Sequence, residues 1–94
     1  MFTVTKPALD RLSHRLARRE AADDVALRFT RRAGGWKLDA DRARPGDVTF
    51  AHDGRNVLLL DEAVSQGMTD LTLDVRKTDD GPRLRLRRVA NRPG

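Results

Sequence analysis

The passage DVTFAHDGRNVLLLDEAV, Asp47 to Val64, is the most heavily punctuated part of the chain. Val48 and Phe50 alternate with their neighbours, which is the two-residue period of a half-buried strand. An Asp53-Gly54 turn follows, and Val57 to Leu60 is an apolar run, so the passage is a β-hairpin. Asp61 stands where an N-cap belongs, ahead of a short helical turn through Glu62, Ala63 and Val64 that stops at Gly67, a C′ glycine.

The same logic extends in both directions. Downstream, Leu71, Leu73 and Val75 alternate with Thr72, Asp74 and Arg76, TDDGP turns the chain, and Leu84 and Leu86 alternate with Arg83, Arg85 and Arg87: a second hairpin. Upstream, Val25, Leu27 and Phe29 alternate with Ala26, Arg28 and Thr30. Earlier still, Phe2 to Thr5 is short and β-prone, and Thr5 precedes a helix that tolerates Pro7 in its first turn and runs to about Glu20. In that helix Leu9, Leu12 and Leu16 form one stripe, and Arg11, Arg15 and Arg18 form another. Between the strand at Val25 and the hairpin lies RRAGGWKLDAD, Arg31 to Asp41. There the pair Gly34-Gly35 predicts a tight loop or a close approach to the main chain, leading straight into Trp36 and followed by a polar stretch to Arg44–Gly46. One helix, then six or seven short strands joined by turns without βαβ spacing, predicts a mainly β fold, a β-rich α+β domain of mostly antiparallel strands.

Ninety-four residues suffice for one domain with one modest core. That domain is expected over 1–89, with a frayed tail over 90–94. No apolar run approaches a membrane span and no charged-then-apolar leader follows Met1, so a cytoplasmic protein without membrane contact is expected. The chain has no cysteine, which excludes disulfides, thiolate metal sites and cysteine nucleophiles. Its formal charge of +5 invites an anionic partner. Arginine far outnumbers lysine, however, a balance that genome composition produces as readily as a binding surface does.

Catalytic chemistry finds no foothold. His14 lies four residues after Asp10 on the helix, a surface pair, and His52 belongs to the turn that follows it; neither has the partners a zinc site needs. Ser13 and Ser65 lack a nucleophile elbow and an evident base. Gly34-Gly35 opens no helix and lacks the Lys-Ser/Thr ending of a phosphate loop. The arginines remain: Arg83, Arg85 and Arg87 on the last strand, and Arg11, Arg15 and Arg18 on the helix. Cross-strand pairing with Asp74 accounts for the first set in structural terms. A nucleic-acid surface is the functional alternative, although three Phe, one Trp and no Tyr leave few platforms for bases.

Taken in order, FTVTKPALDRLSHRL, VALRFTRRAGG, DVTFAHDGRNVLLLDEAV and QGMTDLTLDV resemble the HesB-like family, the A-type iron-sulfur cluster carriers, over about Phe2 to Leu86. The resemblance implies a compact β-rich domain with the first helix packed on it. It also implies a cluster or iron bound by three cysteines, the first after a Gly-Gly pair and the others in a Cys-Gly-Cys. Here Gly34 and Gly35 match the glycine pair, Trp36 stands at the first cysteine position, and RRVANRPG after Leu86 holds no Cys-Gly-Cys. Cluster iron is held chiefly by thiolates, and an indole only donates a hydrogen bond. The expectation is therefore a non-enzymatic HesB-like domain with no cofactor that has lost cluster binding. It would act as a protein-interaction or regulatory module through Gly34, Gly35 and Trp36, and the family resemblance adds homodimer formation. For Trp36 two roles stay open: an exposed interface anchor, or a plug folded over the sheet where the ligand loop stood.

Overall fold

The computed structural model describes residues 2–88, and of Arg32 the backbone only. Strand β1 (Thr3–Val4) leads into helix α1 (Lys6–Arg18), and then come β2 (Val25–Arg32), β3 (Gly35–Arg42), β4 (Val48–His52) and β5 (Arg55–Leu60). Helix α2 (Glu62–Gln66), β6 (Leu71–Thr78) and β7 (Gly81–Arg88) complete the order. The strands form two sheets, β1-β6-β7 and β3-β2-β5-β4. Three hairpins supply the antiparallel pairs, while β1–β6 and β2–β5 are parallel, so both sheets are mixed.

Helix α1 starts where the Thr5 hydroxyl accepts the Ala8 N–H at 3.3 Å, with Pro7 in the first turn where its missing N–H costs nothing. The same hydroxyl donates to Asp74 Oδ1 at 2.8 Å, which ties the helix cap to β6. The helix ends two residues before the expected Glu20. Glu20 lies at φ 52, and Ala21 N–H returns to the Leu16 carbonyl at 3.1 Å, the closing bond of a Schellman turn. A carboxylate-bearing residue therefore occupies a position where glycine is favoured.

Ala8, Leu12 and Leu16 are fully buried and α1 touches strands of both sheets, so the helix is the wedge around which the core closes. Phe2 meets Phe50 edge-on at 5.7 Å and Phe29 at 6.2 Å. Val57 to Leu60 are all buried, so the apolar run of β5 fills both faces of a central strand. Asp53 (φ 52) and Gly54 (φ 79) are both left-handed, as the two-residue turn between β4 and β5 requires. Asp61 caps α2 by accepting the Val64 N–H at 2.7 Å. Gly67 closes that helix at φ −74, a right-handed cap rather than the left-handed one expected.

The larger departure is β3. The residues after Gly35 form an eight-residue strand in continuous register with β2, from Arg32↔Gly35 to Val25↔Arg42, where a loop and polar stretch were expected. Trp36, Leu38 and Ala40 alternate with charged neighbours, and that period is diluted by short and acidic side chains. The glycine pair is the turn of this third hairpin. Nothing lies within 4 Å of the space a Cβ would take at either glycine, so no close approach explains them; Gly35, at φ 141, needs glycine for its backbone. The expected tail, 90–94, lies outside the described residues.

Candidate functional site: a basic groove beside Trp36

Trp36 stands on β3, not on a loop, and is half-buried. Its indole lies nearly parallel to the Phe29 ring, with centroids 5.2 Å apart and planes 17° apart, and it packs against the core cluster. The register explains the contact. Phe29 pairs with Leu38, so Trp36, two residues earlier on β3, falls on the same face of the sheet.

Beyond the indole the surface opens into a groove of about 510 Å³. Helix α1 contributes Arg11 and Arg15 to its wall. Strand β3 contributes Trp36, Lys37 and Leu38, and strand β7 contributes Pro82, Arg83 and Leu84. β3 and β7 are the outer strands of their sheets, so the groove runs between two sheet edges with the helix as its third side. Arg11, Arg15 and Arg83, which belong to two arginine rows far apart in sequence, thus share one site with Trp36.

The charges of the groove are of one sign, since no carboxylate lines it. Lys37 reaches Asp39 at 3.6 Å and Arg83 reaches Asp80 at 3.9 Å, both pairs in solvent, where such contacts are weak. Arg11 and Arg15 have no carboxylate partner among the described residues. Burial pushes the Arg15 pKa down, and the positive charges of Arg11 and Arg19 push it the same way.

Arg28 shows the contrast. It is nearly buried on the opposite face of β2, donates from Nε to Asp41 at 2.6 Å, and grips both Asp47 oxygens at 3.1 and 2.6 Å. Its pKa is raised, first by the hydrogen bond to Asp47, and those of Asp47 and Asp41 are lowered, first by their hydrogen bonds to Arg28. Asp47 also accepts the Arg44 N–H at 2.7 Å, so the cluster pins the β3–β4 connection to the sheet. An arginine within the apolar run of β2 was the available signal for this cluster.

The other basic residues fall outside the groove. Arg85 faces Asp74 in register, but the ion pair to Asp74 comes from Arg87, at 3.1 Å. Arg18 is exposed at the end of α1. The expected Asp10–His14 pair does not form; His14 is exposed, and Asp10 lies 3.7 Å from His52 Nε2 instead. No cluster of His, Asp and Glu able to hold a metal occurs among the described residues, and no described helix is long and apolar enough to cross a membrane. Lys37 and Leu38 were missed with the strand that carries them.

The sheet order, the helix wedge and the Gly34-Gly35 hairpin can be set beside solved structures. The chain has the fold of SufA and IscA. SufA of Escherichia coli, involved in biosynthesis of iron-sulfur clusters, superposes with a TM-score of 0.72 at 19% identity, over 93% of this chain and 84% of that one. IscA with its [2Fe-2S] cluster gives 0.56 at 20% identity over 94% and 85%. A protein from Aquifex aeolicus solved in solution gives 0.61 at 20% identity over 92% and 89%. No protein-family model matches the chain, and no curated protein matches it in sequence. The residues present do not fit an iron-sulfur cluster: the chain offers no thiolate, and the indole after the glycine pair is stacked on Phe29.

Proposed function

We propose that this protein is a degenerate HesB-like domain that carries no cluster and serves as a non-catalytic interaction or regulatory module. The observation that carries the proposal is the place of Trp36. On the fold of SufA and IscA, the residue after the glycine pair is an indole engaged with the core, beside a groove walled by cations. That arrangement supports binding to an anionic partner through charge and an aromatic wall, and it supplies no ligand for iron.

Anaerobic incubation with iron and sulfide tests the loss of cluster binding. The expected product is colourless protein after desalting, and a cluster spectrum that survives a chelator would overturn it. The interaction role is tested by crosslinking in native extract at low and high salt, comparing the unaltered chain with an Arg11→Gln/Arg15→Gln variant. A protein crosslinked by the first and lost by the second is expected; identical crosslinks from both would remove the groove from the interaction. The basic nucleic-acid-binding alternative predicts duplex affinity that falls steeply with salt. It is the weaker reading, because Arg85 and Arg87 lie outside the groove and the one indole beside the cations is already stacked on Phe29.

A further inference from the structure

Strand β7 closes one side of its sheet and is hydrogen-bonded, among the described strands, to β6 alone. An edge strand turns the N–H and C=O of every second residue outward, a template for a further strand. The register fixes what surrounds that template. Arg83, Arg85 and Arg87 stand opposite Arg76, Asp74 and Thr72, so all six project from one face, with the three β7 guanidiniums rooted about 7 Å apart along the strand. Leu84 and Leu86 take the other face, where they are half-buried and pack against the core.

The charged face is short of carboxylates. Asp74 is the one acidic residue of the six, and its oxygens already accept from the Thr5 hydroxyl, the Val75 N–H and Arg87 Nε. Arg85, which faces Asp74 in register, forms no ion pair among the described residues, and neither does Arg76. Arg83 reaches only Asp80, at 3.9 Å in solvent, and stands directly opposite Arg76. Like charges facing each other across strands destabilise a sheet, so this edge is completed by a strand of opposite charge.

We propose that β7 docks an extended acidic segment of a partner protein as an added strand. Its carboxylates, at alternate positions, face Arg83, Arg85 and Arg87, and its apolar side chains lie beside Leu84 and Leu86. A docked strand shares the two-residue period of β7, so carboxylates spaced two apart meet all three guanidiniums whichever way it runs. Pro82 has no N–H to offer, which starts the docking stretch at Arg83. The same side chains exclude a second copy here, because two β7 strands paired in register would set arginine against arginine. A nucleic acid has no peptide backbone to complete the edge, and β6 and β7 carry no aromatic side chain on which a base could stack. The inference rests on the reading of the protein as an interaction module and names its partner's chemistry; the surface adjoins the groove at Pro82–Leu84.

The test titrates the full chain, at low salt, into a fluorophore-labelled seven-residue peptide of alternating glutamate and valine, followed by anisotropy. Saturable binding is expected, at least fivefold tighter than for a peptide of the same composition with its glutamates grouped, and amide exchange along β7 should slow in the complex. Arg85→Gln should weaken binding threefold to fivefold, the loss of one cross-strand pair. Arg83→Glu/Arg85→Glu should weaken it more than tenfold and bind an alternating lysine-valine peptide instead, which also shows that this variant folds. Arg18→Glu reverses an exposed charge at the end of α1 and should alter binding less than twofold. Any of five results overturns the proposal: no saturable binding, equal affinity for the grouped and alternating peptides, unchanged exchange in β7, equal losses in Arg18→Glu and Arg83→Glu/Arg85→Glu, or tighter binding of an oligothymidylate than of the alternating peptide. Failure here alongside a crosslink that Arg11→Gln/Arg15→Gln removes leaves the interaction reading standing without β7, whereas peptide binding alongside identical crosslinks keeps β7 and removes the groove.

Discussion

Replacing Trp36 by alanine separates a side chain that holds the fold from one that only waits for a partner. The half-buried indole loses on the order of 100 Å² of buried apolar surface beyond its Cβ, worth about 2.5 kcal/mol at roughly 25 cal/mol per Å². Its near-parallel stack on Phe29, at 5.2 Å, adds about 1 kcal/mol. The expected cost is therefore about 3.5 kcal/mol, a large share of the roughly 5–15 kcal/mol typical of a domain. For a chain of this size it corresponds to a fall of about 15–25 °C in Tm. Because the substitution removes the fluorophore, far-ultraviolet circular dichroism with urea titration is the assay, and an unchanged m-value is needed to assign the loss to the folded state. Trp36→Phe retains an aromatic on Phe29 and should recover more than half of the loss. A cost below about 1 kcal/mol for Trp36→Ala would mean that the ring contributes little burial, and the reasoning from the stack would fail.

Other perturbations test the frame around the groove. Glu20→Gly should raise stability by about 0.5–1 kcal/mol in urea titration, because φ 52 is costly for a residue with a Cβ. Asp47→Asn should lower it by about 2 kcal/mol, since Arg28 keeps Asp41 but loses its better-buried partner. The same cluster sets an acid limit. The Asp47 and Asp41 pKa values are depressed in the folded state, so their stabilisation is present above the unfolded carboxylate pKa of about 4 and is lost as pH falls below it, a loss that Asp47→Asn should reduce in pH-dependent melting. Thr5→Ala removes the N-cap and the bond to Asp74 together, and should cost about 1–2 kcal/mol with earlier fraying of α1 in hydrogen exchange.

Much of the fold was legible because local chemistry agreed with the tertiary answer. Thr5, Asp61 and Asp53-Gly54 are caps and a turn whose side chains act on their own backbone, so a short window contains all the information they use. β3 was lost because its pattern, GWKLDADR, carries few β-branched or aromatic residues; what makes it a strand is eight pairings to β2. The parallel pairs were equally hidden, since Leu27↔Leu58 and Thr3↔Thr72 join segments that no local signal links. The groove sits at the same limit. Each of its arginines could be named from its row, but that Arg11, Arg15 and Arg83 would share a space while Arg18, Arg85 and Arg87 would not depends on how two sheets close on one helix.

The Thr3 and Thr72 hydroxyls meet at 2.6 Å across 69 residues of chain, in a two-residue strand that has no other neighbour. As the polypeptide is synthesised, α1 can coil as soon as it is free, yet the segment before it has nothing to pair with until β6 is made. Closing so long a loop is entropically unfavourable, and in β1 it is made by few residues. Strand β1 therefore finds its partner only after β6 has been made, whereas the neighbouring Phe2 has ring partners, Phe29 and Phe50, from much earlier in the chain.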